Sequence, residues 1–405
     1  MTFFWIIGGG LLQIPLIHEV RQLGYPVIIT DANPDCVCKP LADMFFALDI
    51  YDIQGHKTLA TQLLANGDRI LAVLAAGIDA PETMAELCRH LGLPSVSPEI
   101  ARLVNNKDLF RAKMAELGIP RPKFCVIEQN DLPQLPQIAN DIGYPLIVKN
   151  SCSSGSRGTK IFREESPELG TIAAEAIAVS RSGKALLESL WEGSEHTVET
   201  LFDCNGLFHR GFITDRLFDK SNGYPLETGL VHPSQLDEKI QEEMYLLAED
   251  VATKLGITLG AAKYDMILTK QGPRIIEMTV RLSGGFDCQY LVPAATGKNI
   301  LKAAALTALN QPFEASLLED SKHRIALSES LWPTPGIITA IRGKDEIVGM
   351  PGFEHLFFRH AIGDRILPYV DCTKRVCFIL VSGSTLAEAQ SNMSRIKNTL
   401  QIITE

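Results

Sequence analysis

The sequence predicts an α/β fold divided into several domains, and three observations carry that expectation. Its first thirty residues run strand, glycine turn, helix, strand. Phe3–Ile7 is a short continuous apolar run of the kind buried parallel strands make, Gly8–Gly10 break it, and Ile14–Leu23 place apolar residues at helical spacing before the strand-like Pro26–Thr30. Short apolar strands then alternate with longer amphipathic stretches along the rest of the chain. Finally, 405 residues exceed one ordinary domain of roughly 100–200, so two to four are expected.

The opening βαβ unit ends at Asp31, and Ile70–Ala76 with a helix near Pro81–Leu91 completes a small Rossmann-like domain over residues 1–95. The triple glycine does not reproduce the full GxGxxG spacing. A tight turn packing helix on strand explains it as well as a dinucleotide site does, and Asp31 stays open between a ligand contact and a capping role. From Asn105 the texture changes. Lys107–Leu117 reads as a basic amphipathic helix stopped by Gly118, Pro120 and Pro122. Leu146–Lys149 is a strand running into the Ser/Gly-rich loop Ser151–Thr159, and Ala185–Glu188, His196–Phe202 and Gly206–Thr214 are further strands. Gln235–Leu255 is a long helix, and Ala261–Leu268 with Arg274–Val280 forms a hairpin around Thr269–Gly272. Past Pro312 a last α+β region carries strands near Ile337–Ile341 and Val376–Val381.

Composition narrows the function classes. Hydrophobic residues make up 46 % and charged residues 21 %, an ordinary globular balance. A net charge of −10 argues against a general phosphate-backbone binder, so no nucleic-acid partner is expected. The apolar start, FFWIIGGGLLQIPLI, lacks a basic flank, carries three glycines and stops at His18–Glu19, short of the roughly 20 residues a span needs. No membrane association is expected. Nine scattered cysteines give no disulfide framework, which suits a reducing cytoplasm.

Two features carry chemistry. In the loop after Lys149, small residues let backbone N–H groups approach phosphate oxygens while serine hydroxyls add donors; Lys149, at the end of a buried strand, can meet a phosphate. No GK[ST] closes the loop, so it is not a Walker A motif. In the hairpin, Lys263, Asp265 and Ile267 share one face, and Glu277, Thr279 and Arg281 share one face of the partner strand. Two carboxylates on adjacent strands repel unless a cation neutralises them, and a hard divalent ion with phosphate co-ligands suits that pair.

In that order PLIVKNSCSSGSRG, LLESLWEGSEHTVE and YDMILTKQGPRIIEMTVRLSGG resemble the three signatures of the ATP-grasp superfamily, with closest likeness to its carboxylate–amine ligases of the L-amino-acid-ligase and carnosine-synthase-like branch. The resemblance spans nearly the whole chain. It implies a Rossmann-like pre-grasp domain over 1–95, a two-lobed grasp over 96–312 (lobe A about 105–187, lobe B about 188–312) and a small C-terminal α+β domain over 313–405. It implies ATP and Mg²⁺, or Mn²⁺, as cofactors. Lys107 and Lys149 match the ATP-contacting lysines; Ser153, Ser154, Gly155 and Ser156 match the loop that folds over the phosphates. Glu188 and Leu190 match the hinge that holds adenine through backbone groups, and Glu195 the acid on the ribose. Asp265 and Glu277 match the metal ligands, and Arg281 the arginine that meets the γ-phosphate and the developing acyl phosphate. The pattern departs at Thr279, where the family has Asn.

The implied reaction phosphorylates a carboxylate and transfers the acyl group to an amine, giving an amide, ADP and phosphate. Small-molecule carboxylate and amine substrates of the amino-acid class follow, and a homodimer is compatible. Arg216 is a candidate carboxylate clamp on a loop, and His232, within ETGLVHPS (Glu227–Ser234), a candidate substrate contact or proton acceptor; both are counted with the catalytic set. Three other readings stand beside this one. A purine-biosynthesis-type grasp ligase or carboxylase would act on a phosphoribosyl intermediate. A nicotinamide-dependent oxidoreductase would rest on Gly8–Gly10 and Asp31, and a non-catalytic nucleotide sensor on Thr279.

Overall fold

The computed structural model describes residues 1–405. Its first layer is a parallel sheet in the order β3-β2-β1-β4, made of Thr2–Ile7 (β1), Val27–Asp31 (β2), Met44–Ala47 (β3) and Arg69–Ala75 (β4). Continuous apolar burial of Phe3–Ile7 and Val27–Ile29 marks strands covered on both faces. The glycine turn serves packing. A side chain at Gly9 would strike Cys36 Sγ, and Asp31 accepts hydrogen bonds from the Gly9 and Asn33 N–H groups at 2.7 and 2.8 Å. Asp31 is thereby a loop clasp, and the oxidoreductase reading loses its anchor.

A four-stranded antiparallel sheet follows, ordered β5-β8-β6-β7: Phe124–Ile127 (β5), Leu146–Asn150 (β6), Lys160–Phe162 (β7) and Ala185–Ser189 (β8). It falls in the stretch expected as lobe A and has its own core of 14 buried residues under the helices Leu135–Ile142 and Leu169–Val179.

The largest sheet has eight strands in the order β13-β12-β9-β10-β11-β14-β18-β16. Its strands are Ser194–Phe202 (β9), Phe208–Asp219 (β10), Leu226–His232 (β11), Gly260–Thr269 (β12), Gly272–Thr279 (β13), Ile325–Glu329 (β14), Phe353–Phe358 (β16) and Cys377–Gly383 (β18). Gly336–Arg342 (β15), Arg365–Ile366 (β17) and Gln401–Thr404 (β19) make a small sheet ordered β17-β15-β19. The expected boundary at 312/313 does not interrupt the large sheet. β14 pairs antiparallel with β11 from Gly229↔Glu329 to His232↔Ala326, using backbone groups that an open β11 edge would leave unpaired.

One cluster of 56 buried residues runs from the N-terminal sheet through the helix Glu238–Leu255 to β9, β12 and the helix Ile300–Ala308. The N-terminal layer and the large sheet therefore share a core, whereas the four-stranded antiparallel sheet packs on its own. All nine cysteines are free thiols, and no helix is long and apolar enough to cross a membrane.

Candidate active site

Between the four-stranded antiparallel sheet and the large sheet lies a cleft that gathers most of the residues singled out above. Lys107, Lys149, Ser153, Ser154, Gly155, Ser156, Glu188, Leu190, Glu195, Arg216, Asp265, Glu277 and Arg281 all line it. His232 does not.

One wall is built on a buried charge cluster. Lys149 is the penultimate residue of β6, and its Nζ lies 3.0 Å from Glu188 Oε2 on the neighbouring β8. Arg111, from the helix Lys107–Glu116, donates to Glu188 through Nε at 2.7 Å and Nη2 at 3.3 Å. Burial raises the Glu188 pKa, but the two cations outweigh it and hold the group at about 2. The Glu188 side chain thus fixes Lys149 in the cleft, a role its backbone match did not convey. At the hinge, the Leu190 N–H donates to the Pro145 carbonyl at 2.9 Å, so that amide is not free to hold adenine. Lys107 Nζ donates to the Ser153 carbonyl at 2.9 Å and lies 3.6 Å from Glu277 Oε1, joining the phosphate loop to the acidic hairpin. Gly155 (φ +72°) and Ser156 (φ +58°) turn the loop, and the Cys372 N–H donates to the Gly155 carbonyl at 3.0 Å.

On the opposite wall, the register places Asp265 of β12 directly across from Glu277 of β13, with Lys263 across from Thr279. Arg216 Nη1 lies 2.8 Å from Asp265 Oδ1, and Lys263 donates to the same oxygen. Burial raises the Asp265 pKa, but Arg216 and then Lys263 bring it down to about 2. Arg216 was expected on a loop; it sits inside β10, because that strand continues past Thr214 to Asp219. Its Nε donates to Glu227 Oε2 at 2.8 Å, and Arg375 Nη1 from the C-terminal region meets Glu227 Oε1 at 3.0 Å. Lys220 donates to Glu195 Oε1 at 2.6 Å. Arg281 was expected on the strand face of Glu277. The strand ends at Thr279, and Arg281 follows it into the cleft with its Nε buried and unpartnered.

Asp265 and Glu277 supply hard oxygen donors side by side, and the buried Thr279 hydroxyl oxygen has no partner. Nowhere does a third His, Cys, Asp or Glu complete a metal-binding group. These residues therefore fit Mg²⁺ arriving with phosphate oxygens, not an ion caged by protein alone.

His232 is the clearest correction. Expected as a substrate contact or proton acceptor, His232 instead ends the strand Leu226–His232 (β11) and is 2 % exposed. Its Nδ1 lies 3.1 Å from the Ile213 carbonyl and 3.2 Å from Thr214 Oγ1, and burial lowers its pKa to about 4. A buried imidazole that does not line the cleft is not placed to meet a substrate there.

Several residues escaped the sequence reading. Arg111 lies four positions after Lys107 on one helix face, a spacing that could have flagged it. Arg375 has no motif around it. Glu199 and Asp287 are both buried; Asp287 lines the cleft, and Glu199 lies behind the lining residue Ser283. The Ser283 N–H donates to both Glu199 oxygens at 3.0 and 3.1 Å, and Thr214 Oγ1 donates to Asp287 Oδ1 at 2.9 Å.

The chain is similar to known proteins along its whole length. The family model described as "Carbamoyl-phosphate synthase L chain, ATP binding domain" matches residues 106–316, and "L-amino acid ligase C-terminal domain 2" matches residues 330–405. Human carnosine synthase 1 is 23 % identical over 328 residues, 75 % of this chain; the chain spans 39 % of that protein's length. The L-amino acid ligase from Bacillus licheniformis superposes with a TM-score of 0.83 at 22 % identity, covering 100 % of this chain and 99 % of the other. Phosphoribosylglycinamide synthetase from Anaerococcus prevotii gives 0.75 at 18 % identity over 100 % of both chains. At such identities the two structures establish the shared fold. The first family model covers just over half of the sequence, and the chain belongs to the ATP-grasp ligase family that it describes.

Proposed function

We propose that the chain is an ATP- and Mg²⁺-dependent carboxylate–amine ligase acting on substrates of the amino-acid class. One observation carries the reading: Asp265, Glu277 and Arg281 line one cleft with Lys107, Lys149 and the Ser153–Ser156 loop. The match of residues 330–405 to the L-amino acid ligase C-terminal domain supports the branch.

Each group has a task set by its position. Lys149 and Lys107 balance phosphate charge, while loop N–H groups close on the phosphate oxygens. Glu195, with Lys220, offers a carboxylate to ribose hydroxyls. Asp265 and Glu277 would hold Mg²⁺, which when bound withdraws charge from the transferring phosphoryl group. Arg281 presents guanidinium donors where the acyl phosphate develops negative charge. The Arg216–Glu227–Arg375 chain walls the space beyond, where one arginine can take a substrate carboxylate.

The test is phosphate release from ATP and Mg²⁺ across a matrix of amino-acid pairs and small carboxylates. Release that requires two substrates together, with an amide product by mass spectrometry, is expected. Turnover that responds to phosphoribosyl amines or bicarbonate and to no amino acid would replace this reading with the purine-type one, which the likeness to phosphoribosylglycinamide synthetase supports.

A further inference from the structure

An amine nucleophile enters as an ammonium ion and must lose a proton before it attacks, and the roles assigned so far name no acceptor for it. Two cations hold the Asp265 pKa at about 2, which makes it a weak base, and His232 lies outside the cleft. Part of the cleft wall, however, carries an unusual set of groups. Asp287 is 2 % exposed, lines the cleft and has no salt bridge; its single hydrogen bond is from Thr214 to Oδ1. Ser283, 1 % exposed, and Thr279, 8 % exposed, also line the cleft, and their hydroxyl oxygens are buried without partners. Buried polar atoms left unpaired beside a cavity are costly unless a ligand completes them.

Resting on the ligase reading above, we propose that Asp287 binds the incoming amine and accepts its proton. One ammonium proton passes to the free Oδ2. The nitrogen lone pair then forms the bond to the acyl carbon while the carbon–oxygen bond to phosphate breaks. The leaving phosphate carries off the second proton, and Asp287 returns its own to water. Ser283 and Thr279 hydroxyls are placed to orient the substrate. Glu199 acts as a positioning residue, clamping the Ser283 amide with both oxygens so that Ser283 and Asp287 face the same space.

The charge environment suits the task. The groups acting on Asp287 are Glu199 on β9, Thr214 on β10, Glu227 on β11 and Lys263 on β12. Burial and the Glu199 charge together push its pKa to about 8, close to working pH, where a base accepts and releases protons readily. A docked ammonium favours the ionised carboxylate, whose own proton leaves to water, so Asp287 can take the amine's proton once the acyl phosphate has formed.

The test compares two nucleophiles on the full-length chain with ATP and Mg²⁺. Hydroxylamine is uncharged at neutral pH and traps the acyl phosphate as a hydroxamate without a base; a second amino acid gives the amide. In Asp287→Asn the ratio of amide to hydroxamate should fall about 100-fold or more, the range of a lost general base. An unchanged ratio, whether both products persist or both fall, would overturn the proposal. If the Asn chain does not fold, Thr214→Val removes the one donor to Asp287, and the ratio should move by about fivefold; a constant ratio there would overturn it equally. Wild-type chain yielding neither product would overturn the ligase reading, and this proposal with it.

Discussion

Glu188 and Asp287, which line the same cleft, are carboxylates of nearly equal burial, 1 % and 2 % exposed, with opposite proton affinities. Burial pushes both upward. Glu188 meets Arg111 and Lys149 and stays ionised near pKa 2, whereas Asp287 meets one hydroxyl and the Glu199 charge and rises to about 8. Depth alone does not set the charge state; the neighbours do. One carboxylate is a fixed strut for a phosphate-binding lysine, and the other can exchange a proton with a ligand.

Removing the strut should have the largest effect. Glu188→Gln leaves two cations buried without their counter-charge, and urea unfolding should show a loss of about 3–5 kcal/mol. A loss under 1 kcal/mol would mean that the cluster is hydrated and the contrast with Asp287 overstated. Glu277→Gln tests the other extreme, since Glu277 is a site acid with its side chain 38 % exposed. Phosphate release should drop about 100-fold or more while stability stays within about 0.5 kcal/mol. Retained turnover would remove Glu277 from the metal site.

The pH dependence of stability sharpens the comparison, because the two groups act with opposite sign. Glu188 has a lowered folded-state pKa, so its contribution is present above the unfolded value and is lost as pH falls toward 2. Asp287 has a raised one, so its contribution is present below the unfolded value and is lost as pH climbs through about 8. Denaturation of Asp287→Asn between pH 5 and 8 should show a flatter decline than wild type, the difference being at most about 1.4 kcal/mol per pH unit. Parallel curves would place Asp287 in water. The smallest effect belongs to an ion pair with no burial to amplify it: Lys254→Ala breaks the exposed contact to Asp250, 2.7 Å apart, and should cost less than about 0.5 kcal/mol by thermal melting.

How much was legible follows from what each feature depends on. Lys149 could be placed because its strand and the loop after it are adjacent in the chain. The Asp265/Glu277 pair could be placed because a short turn makes the hairpin register local. Glu188 was found for its backbone, but its partner Arg111 is 77 positions away, and the pairing exists only after a helix docks on the sheet. Arg216 was put on a loop, and His232 in contact with a substrate, because β10 and β11 carry mixed polar residues there. Those residues are buried only because the strands face a cleft and, at β14, a neighbour from the C-terminal region.

Local order along the chain was therefore determined by the sequence itself: the alternation of strands and helices, the glycine turn, the phosphate loop, the acidic hairpin, and the ordered motifs that mark the family. These depend on neighbouring residues and on side-chain periodicity, which act over a few positions. Only the tertiary structure decided that the C-terminal strands extend the large sheet, that Arg375 meets Glu227 across 148 positions, and which carboxylates are charged. Charge state depends on lost water and on cations brought from distant segments, and both come into being only when the chain closes on itself.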